Sequence, residues 1–259
     1  MPLEEVIAGY TFQGFVTTPP VIPGLQALGI FGTTKDGING NRAPGGPAFA
    51  NLTNPPVIGT TWITVNNGTA TSTPTFGFDS GVFETSATLA SGWTMFAVAR
   101  YTPATGNATM VSIGPGQASA LILNPQNNSI SNHPSVYWSC QGLVVSGGEN
   151  TLDLLGNSLA AWRMYAWTYP AGAGVRPYTM HDVTGAVSKT STATHNRVLV
   201  GTTNRFTFGN MGAVTPANCY QFCDVAVGGF CIQPLSLAQL QTVRTWLLGV
   251  LAARGVTGF

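Results

Sequence analysis

The stretch from Ala161 to Gly185, AWRMYAWTYPAGAGVRPYTMHDVTG, limits the possible folds more than any other part of the sequence. Two aromatic, β-prone arms flank the turn-forming run Pro170-Ala-Gly-Ala-Gly174, so the segment predicts a β-hairpin. In the first arm Trp162, Met164, Ala166 and Thr168 alternate with Arg163, Tyr165, Trp167 and Tyr169, the two-residue period of a strand. A strand so apolar on one face needs a second layer over it, which commits the chain to two packed layers of β-structure.

The rest of the chain is laid out around that hairpin. Val6 to Phe15 predicts a short strand near a sheet edge, centred on Tyr10-Thr-Phe-Gln-Gly-Phe15. From Thr17 to Asn67 the chain is rich in Pro, Gly, Asn and Thr, which punctuate short strands and ordered loops rather than build long elements. Phe49, Trp62, Ile63 and Val65 are its expected inward anchors. Regularity begins at Trp93: Trp93 to Tyr101 is apolar on both faces and predicts a central strand. Further strands are expected at Ala108 to Ile113, Ala120 to Leu123, Val136 to Ser139, Leu143 to Val145, Leu152 to Leu155, Arg197 to Val200, Arg205 to Phe208 and Cys219 to Ile232. Turns at such intervals indicate a sandwich or barrel rather than βαβ units.

The period changes at the end. From Leu237, apolar residues recur at Leu240, Val243, Leu247, Val250 and Leu251, the spacing of a helix packed by one face. Ser236 and Gln239 form a capping-box pattern and Gly255 is placed to stop the helix. The expected fold class is therefore all-β, a two-layer antiparallel jelly-roll sandwich with one short C-terminal helix. No repeat, linker or charge boundary marks a second domain, so one domain is expected over 1–259. Its parts are opening strands and long loops at 1–79, the main sandwich at 80–233 and the helix at 234–255.

Charge narrows the partners. Asp, Glu, Lys and Arg make up 7% of the chain and the net charge is +1, against roughly 25% charged residues in an ordinary soluble domain. No run of Lys or Arg exists to release counterions from a polyanion, so neither nucleic acid nor membrane insertion is expected. The start, Met-Pro-Leu-Glu-Glu, is acidic where a secretory signal would be basic, and no export signal or membrane anchor is expected. Cys140, Cys219, Cys223 and Cys231 are too few for a disulfide scaffold, and Cys-x3-Cys-x7-Cys is not a zinc spacing. Buried or unpaired thiols are expected, with a Cys219–Cys223 bridge as the alternative.

Several segments together resemble a known family. Trp93-Thr-Met-Phe-Ala-Val-Ala-Arg100, Met110-Val-Ser-Ile-Gly114, Trp162-Arg-Met-Tyr-Ala-Trp-Thr-Tyr169 with its turn and Val175-Arg-Pro-Tyr178, and Val198-Leu-Val-Gly201 follow one another in a telling order. That order resembles the laminin-G-like branch of the concanavalin-A-like jelly rolls, over about residues 80–255. The closing segment, Asp224-Val-Ala-Val-Gly-Gly-Phe230 then Pro234-Leu-Ser-Leu-Ala-Gln-Leu240 and a helix, is similar to the end of such domains in bacteria and phages. Two departures stand out: Pro177 occupies a usual apolar strand position, implying an edge or a break there, and His181-Asp-Val-Thr184 is longer than usual. The resemblance implies a fold, and such folds serve as lectins, glycoside hydrolases, adhesion modules and virion components.

Chemistry must be read from residues. A retaining glycosidase needs two carboxyls about 5–5.5 Å apart, commonly from one strand. The nine acids Glu4, Glu5, Asp36, Asp79, Glu84, Glu149, Asp153, Asp182 and Asp224 supply no such strand. His133, His181 and His195 are dispersed, and His181-Asp182 reads as a pair of solvated loop residues, since neighbours on a strand would face opposite ways. No metal or cofactor is expected; calcium would have to draw on Asp79, Asp36 and backbone carbonyls. Glycan binding asks for exposed aromatics beside amides. The candidates are Trp62, beside Asn66 and Asn67, and Tyr137 with Trp138, close to Asn132 and Gln141.

The expected function is a non-enzymatic structural protein of a bacteriophage particle, in capsid decoration or in a tail or fibre, assembled in the host cytoplasm. Its partners would be other virion proteins, copies of itself and host-surface glycans, because a low-charge surface suits burial against neighbours. A lectin-like carbohydrate-binding module is the alternative, with a polysaccharide hydrolase behind it.

Overall fold

The computed structural model of the chain describes residues 5–7, 10–12, 20–32, 40–52, 54–65, 77–101, 108–114, 119–124, 135–140, 143–146, 151–153, 159–172, 175–196, 205–209 and 222–259. The strands are β1 (Glu5–Ile7), β2 (Tyr10–Phe12), β3 (Leu25–Ile30), β4 (Ala50–Asn51), β5 (Val57–Ile58), β6 (Ile63–Val65) and β7 (Phe78–Phe83). After helix α1 (Ser86–Ser91) come β8 (Trp93–Arg100), β9 (Ala108–Gly114), β10 (Ser119–Asn124), β11 (Ser135–Cys140), β12 (Leu143–Ser146) and β13 (Thr151–Asp153). Then follow β14 (Arg163–Tyr169), β15 (Val175–Asp182), β16 (Val187–Asn196), β17 (Arg205–Phe208), β18 (Cys223–Cys231) and helix α2 (Leu237–Ala252).

Two antiparallel sheets pack face to face, as the alternation of the hairpin requires. One has the order β13-β11-β10-β9-β17-β7-β4, and the other β12-β16-β15-β14-β8-β18-β6-β5, with β3 also paired to β18. Between them lie Met95, Ala97, Tyr165, Trp167 and Tyr169 from the nine-stranded sheet and Met110, Val111, Phe206 and Phe208 from the seven-stranded one. The hairpin is β14 with β15, in register from Tyr165↔Asp182 to Thr168↔Thr179. Its aromatic row is dense: Trp93 and Trp167 meet edge to face at 4.9 Å and Tyr178 lies 5.2 Å from Trp167.

The hairpin expectation fell short in one respect, because β14 is buried on both faces rather than one. Met164 and Ala166, with Phe96 and Val98 of β8, pack beneath α2 against Leu240, Val243, Leu247, Val250 and Leu251. This explains why β8 and β14 carry apolar residues on both faces: each is sandwiched by a sheet below and a helix above. Burying a side chain of that size contributes roughly 1.5–3 kcal/mol. The helix is set by its cap, where Ser236 Oγ accepts from Gln239 N at 3.3 Å and Gln239 Oε1 accepts from Ser236 N at 2.8 Å. It stops where predicted: Gly255 has φ +75°, and Val256 N returns to Leu251 O at 3.2 Å. The approach to α2 is fastened to β8, since Leu235 N donates to Thr94 Oγ1 at 2.8 Å.

Other elements differ from the sequence reading. β1 and β2 pair with each other, Glu5↔Phe12 and Ile7↔Tyr10, as a separate two-stranded ladder rather than one strand at a sandwich edge. Pro177 is not at an edge, because β15 lies between β14 and β16. It falls beyond the last β14 pair and beside an irregularity in the β15–β16 register, so its missing N–H breaks no regular ladder on the β14 side. Helix α1 and strands β7 and β16 were not among the expected elements, and β3 falls within the stretch expected to hold several short strands. β18 begins at Cys223, whereas Cys219 and the strand expected at 197–200 lie outside the described residues. Among the described residues no helix is long and apolar enough to cross a membrane.

Candidate functional site

On the α2 side of the nine-stranded sheet, antiparallel register places Thr64 of β6, Asp224 of β18 and Arg100 of β8 in one row. The row is hydrogen-bonded through the carboxylate. Asp224 Oδ1 accepts from Thr64 Oγ1 at 2.7 Å, and Oδ2 accepts from Arg100 Nε at 2.9 Å. The next strand continues it, since Arg163 pairs with Ala99 and Trp162 immediately precedes Arg163.

The guanidinium carbon of Arg100 stands 4.5 Å from the Trp62 ring centroid and 4.6 Å from that of Trp162. The two indoles are 5.7 Å apart and tilted by 58°, so one cation caps both. Each contact contributes on the order of 0.5–1 kcal/mol at a partly exposed position. Trp162 is buried and Trp62 half-buried, both against the cluster under α2. The Arg100 side chain keeps 28% of its exposure and Asp224 22%, so the row reaches solvent. Beside it the edge strand β5 presents Val57 and Ile58, 56% and 44% exposed, opposite Thr64 and Ile63. Gly59 closes that corner: its N–H donates to Trp62 O at 2.9 Å, and a Cβ there would come within 3.3 Å of the indole.

Of the glycan candidates, only Trp62 enters this site, and it does so as one half of a capped pair rather than as an open platform. Asn66 and Asn67 lie outside the described residues. Tyr137 and Trp138 are in the other sheet, on β11 opposite Ile122 and Leu121, with only their backbone described; Asn132 and Gln141 are outside. Trp62 and the Tyr137–Trp138 pair thus belong to different sheets. Trp162, Arg100, Asp224 and Thr64 were missed. The available signal was that Trp162 falls on the same strand face as Met164, at the strand's outer end.

His181 and Asp182 correct the expectation of solvated loop residues, since both lie on β15 and are buried. Their place in a central strand between β14 and β16 is the reason. His181 Nδ1 is 2.6 Å from Ser188 Oγ and Nε2 is 3.3 Å from Thr168 Oγ1. Burial lowers its pKa to about 4. Asp182 forms a buried ion pair with Arg163 and accepts from Gly185 N at 3.0 Å. Burial also pushes the neighbouring Tyr165 hydroxyl far up, lowered in part by Arg163 and raised by Asp182. Ser188 and His181 do not make a nucleophile and base of the triad kind: the ring's second nitrogen meets a hydroxyl, and so low a pKa makes a feeble base.

Asp79 accepts from Arg205 Nη1 at 2.5 Å and from Gly81 N at 2.8 Å, and Asp36 is outside the described residues. Among the described residues no three His, Cys, Asp or Glu side chains gather as a metal site. Cys223 and Cys231 are buried and burial raises both thiols well above their usual range. Cys219 and the Cys140 side chain lie outside, and with them the alternative Cys219–Cys223 bridge.

No protein-family model matches the chain, and no curated protein does. Solved structures do match. The botulinum neurotoxin serotype D binding domain aligns with a TM-score of 0.55 at 10% identity, over 86% of this chain and 51% of that one. The receptor binding domain of the botulinum neurotoxin C/D mosaic serotype gives 0.53 and 11%, over 86% and 51%. A botulinum neurotoxin type C structure, described by cell entry dependent upon interaction with two ganglioside molecules, gives 0.51 and 6%, over 86% and 51%. The chain spans about half the length of these structures, and at such identity the likeness is one of fold, an all-β sandwich.

Proposed function

We propose that this chain is a non-enzymatic binding module of a bacteriophage particle, a capsid decoration or a tail or fibre component. In this reading it contacts host-surface glycans through the corner built by Trp62, Trp162 and Arg100. The observation that carries the reading is that corner: the half-buried Trp62 indole, a cation held against it and against the buried Trp162, and a hydroxyl-bound carboxylate reach solvent beside exposed Val57 and Ile58. Aromatic surface next to directional polar groups is what sugars, with apolar faces and hydroxyl edges, require.

Three further points support it. The three described Asp side chains with resolved partners, Asp79, Asp182 and Asp224, are each tied to an arginine, which leaves them poorly suited to act as a hydrolase acid and nucleophile. The solved structures of like fold include the binding domain of botulinum neurotoxin serotype D and the receptor binding domain of the C/D mosaic serotype. The phage assignment rests on the likeness of the closing segment, Asp224 to Leu240, to the end of such jelly-roll domains in bacteria and phages, and on the very low charge, which suits packing against other virion proteins and copies of the chain. A lectin acting alone at a cell surface would use the same corner.

A glycan array probed with the native chain and with Trp62→Ala tests the binding role. Signal from the native chain that the variant loses, with an unchanged circular dichroism spectrum, is the expected result; equal signal from both would move the site elsewhere. Mass spectrometry of purified particles tests the virion role.

A further inference from the structure

Resting on the glycan-binding reading, we infer that the Arg100 corner selects acidic sugars, with the guanidinium as the receptor for a sugar carboxylate. The argument begins with what the stack leaves available. A guanidinium carries five N–H donors in a planar fork. Nε is committed to Asp224 Oδ2, and among the described residues Nη1 and Nη2 have no hydrogen-bond partner in the protein. Four donors on this part-exposed, charged plane are therefore left unclaimed by the described residues.

That plane is held still from two sides. Trp62 and Trp162 fix its face at 4.5 and 4.6 Å, and the Nε–Asp224 bond fixes its rotation about the side-chain axis. Asp224 is itself held by Thr64. A carboxylate that meets Nη1 and Nη2 together makes two parallel charge-assisted hydrogen bonds without first ordering the arginine. The same stack argues against a neutral sugar as the preferred ligand. Arg100 already occupies the position over both rings where a pyranose would lie, so stacking a sugar there would mean displacing a charged group anchored to Asp224.

The chain's net charge of +1 gives no broad attraction for anions, so selectivity has to come from this local fork. A lysine could supply the charge, but neither the planar stack nor the paired donors.

The test uses the whole chain in calorimetric titrations. The probes are a sialic-acid-terminated and a glucuronic-acid-terminated oligosaccharide, the methyl ester of each, and lactose. Binding of at least one acid, weakened tenfold or more by esterification and tenfold or more by Arg100→Lys with an unchanged circular dichroism spectrum, is the expected result. The ester comparison needs no variant, so it stands even where Arg100→Lys fails to fold. Esters that bind as well as the acids, or lactose bound as well as either acid, would overturn the inference while leaving glycan binding intact. An unaffected Arg100→Lys would do the same. No binding to any of these probes or to any glycan on the array would remove both.

Discussion

Two arginine–aspartate pairs sit on opposite faces of the same sheet and have opposite consequences. Arg163 and Asp182 point into the interior, with side chains 9% and 4% exposed; Arg100 and Asp224 lie at the α2-side rim, 28% and 22% exposed. In the first pair every charge has been taken from water, so the partners hold each other and Tyr165 crowds them. In the second the carboxylate restrains the cation and solvent reaches the rest. Identical chemistry thus fixes structure in one place and presents a binding group in the other, and burial decides which.

The sharpest way to break that contrast is to unpair the buried partner. Asp182→Ala leaves the Arg163 charge without its carboxylate and should cost about 3–5 kcal/mol in urea unfolding. The double variant Arg163→Met with Asp182→Leu should recover most of the loss, because well-packed apolar residues replace such pairs without penalty. A loss below about 1 kcal/mol for Asp182→Ala would mean the interior is wetter than its burial indicates.

His181 sharpens the contrast through pH. Its pKa falls from 6.5 unfolded to about 4 folded because burial disfavours the charged ring. The unfolded chain therefore binds the proton first: stability is full above pH 6.5 and declines as pH drops towards 4, then levels. The full decline is roughly 3 kcal/mol. Urea titrations at pH 7.5, 6 and 5 check it, and His181→Gln should flatten the slope between 6.5 and 5. A slope unchanged by that variant would show that other groups carry the dependence.

Smaller still is the cap of α2, which covers the outer face. Ser236→Ala removes the acceptor for Gln239 N and should cost about 1 kcal/mol in thermal or urea unfolding. Because Ser236 lies in the segment joined to β8 through Leu235 and Thr94, it should leave the Arg100 corner untouched. Altered glycan binding in Ser236→Ala would show that the helix seat and the corner are coupled.

These differences also explain what could be read from the sequence. α2 was legible to its caps because helical spacing and capping residues are local. β8 and β14 were legible because their apolar and aromatic residues dominate both faces, although the reason, a layer on each side, was not. β16, VSKTSTATHN, carries no apolar alternation and exists because β15 and β12 pair with it. The site was the least legible part. Trp62 could be named as an aromatic, but Arg100 and Asp224 are 124 residues apart and meet only through the register of β8 with β18. A cross-strand row is a property of pairing, which a single sequence does not display.

The rim pair gives the smallest effect on stability and the most telling one. Asp224→Asn keeps the side chain's shape and one acceptor for Thr64, while removing the charge that holds Arg100 Nε. A part-exposed pair contributes about 0–1 kcal/mol, so urea unfolding should move by no more than that. Glycan affinity should nonetheless fall several-fold, because Arg100 would then have to be ordered by the ligand. Measuring both on one protein separates the two uses of the same residue pair: a large loss of stability would make Arg100–Asp224 another interior-type clasp, whereas lost affinity at near-native stability requires that the rim holds its cation for something outside the chain.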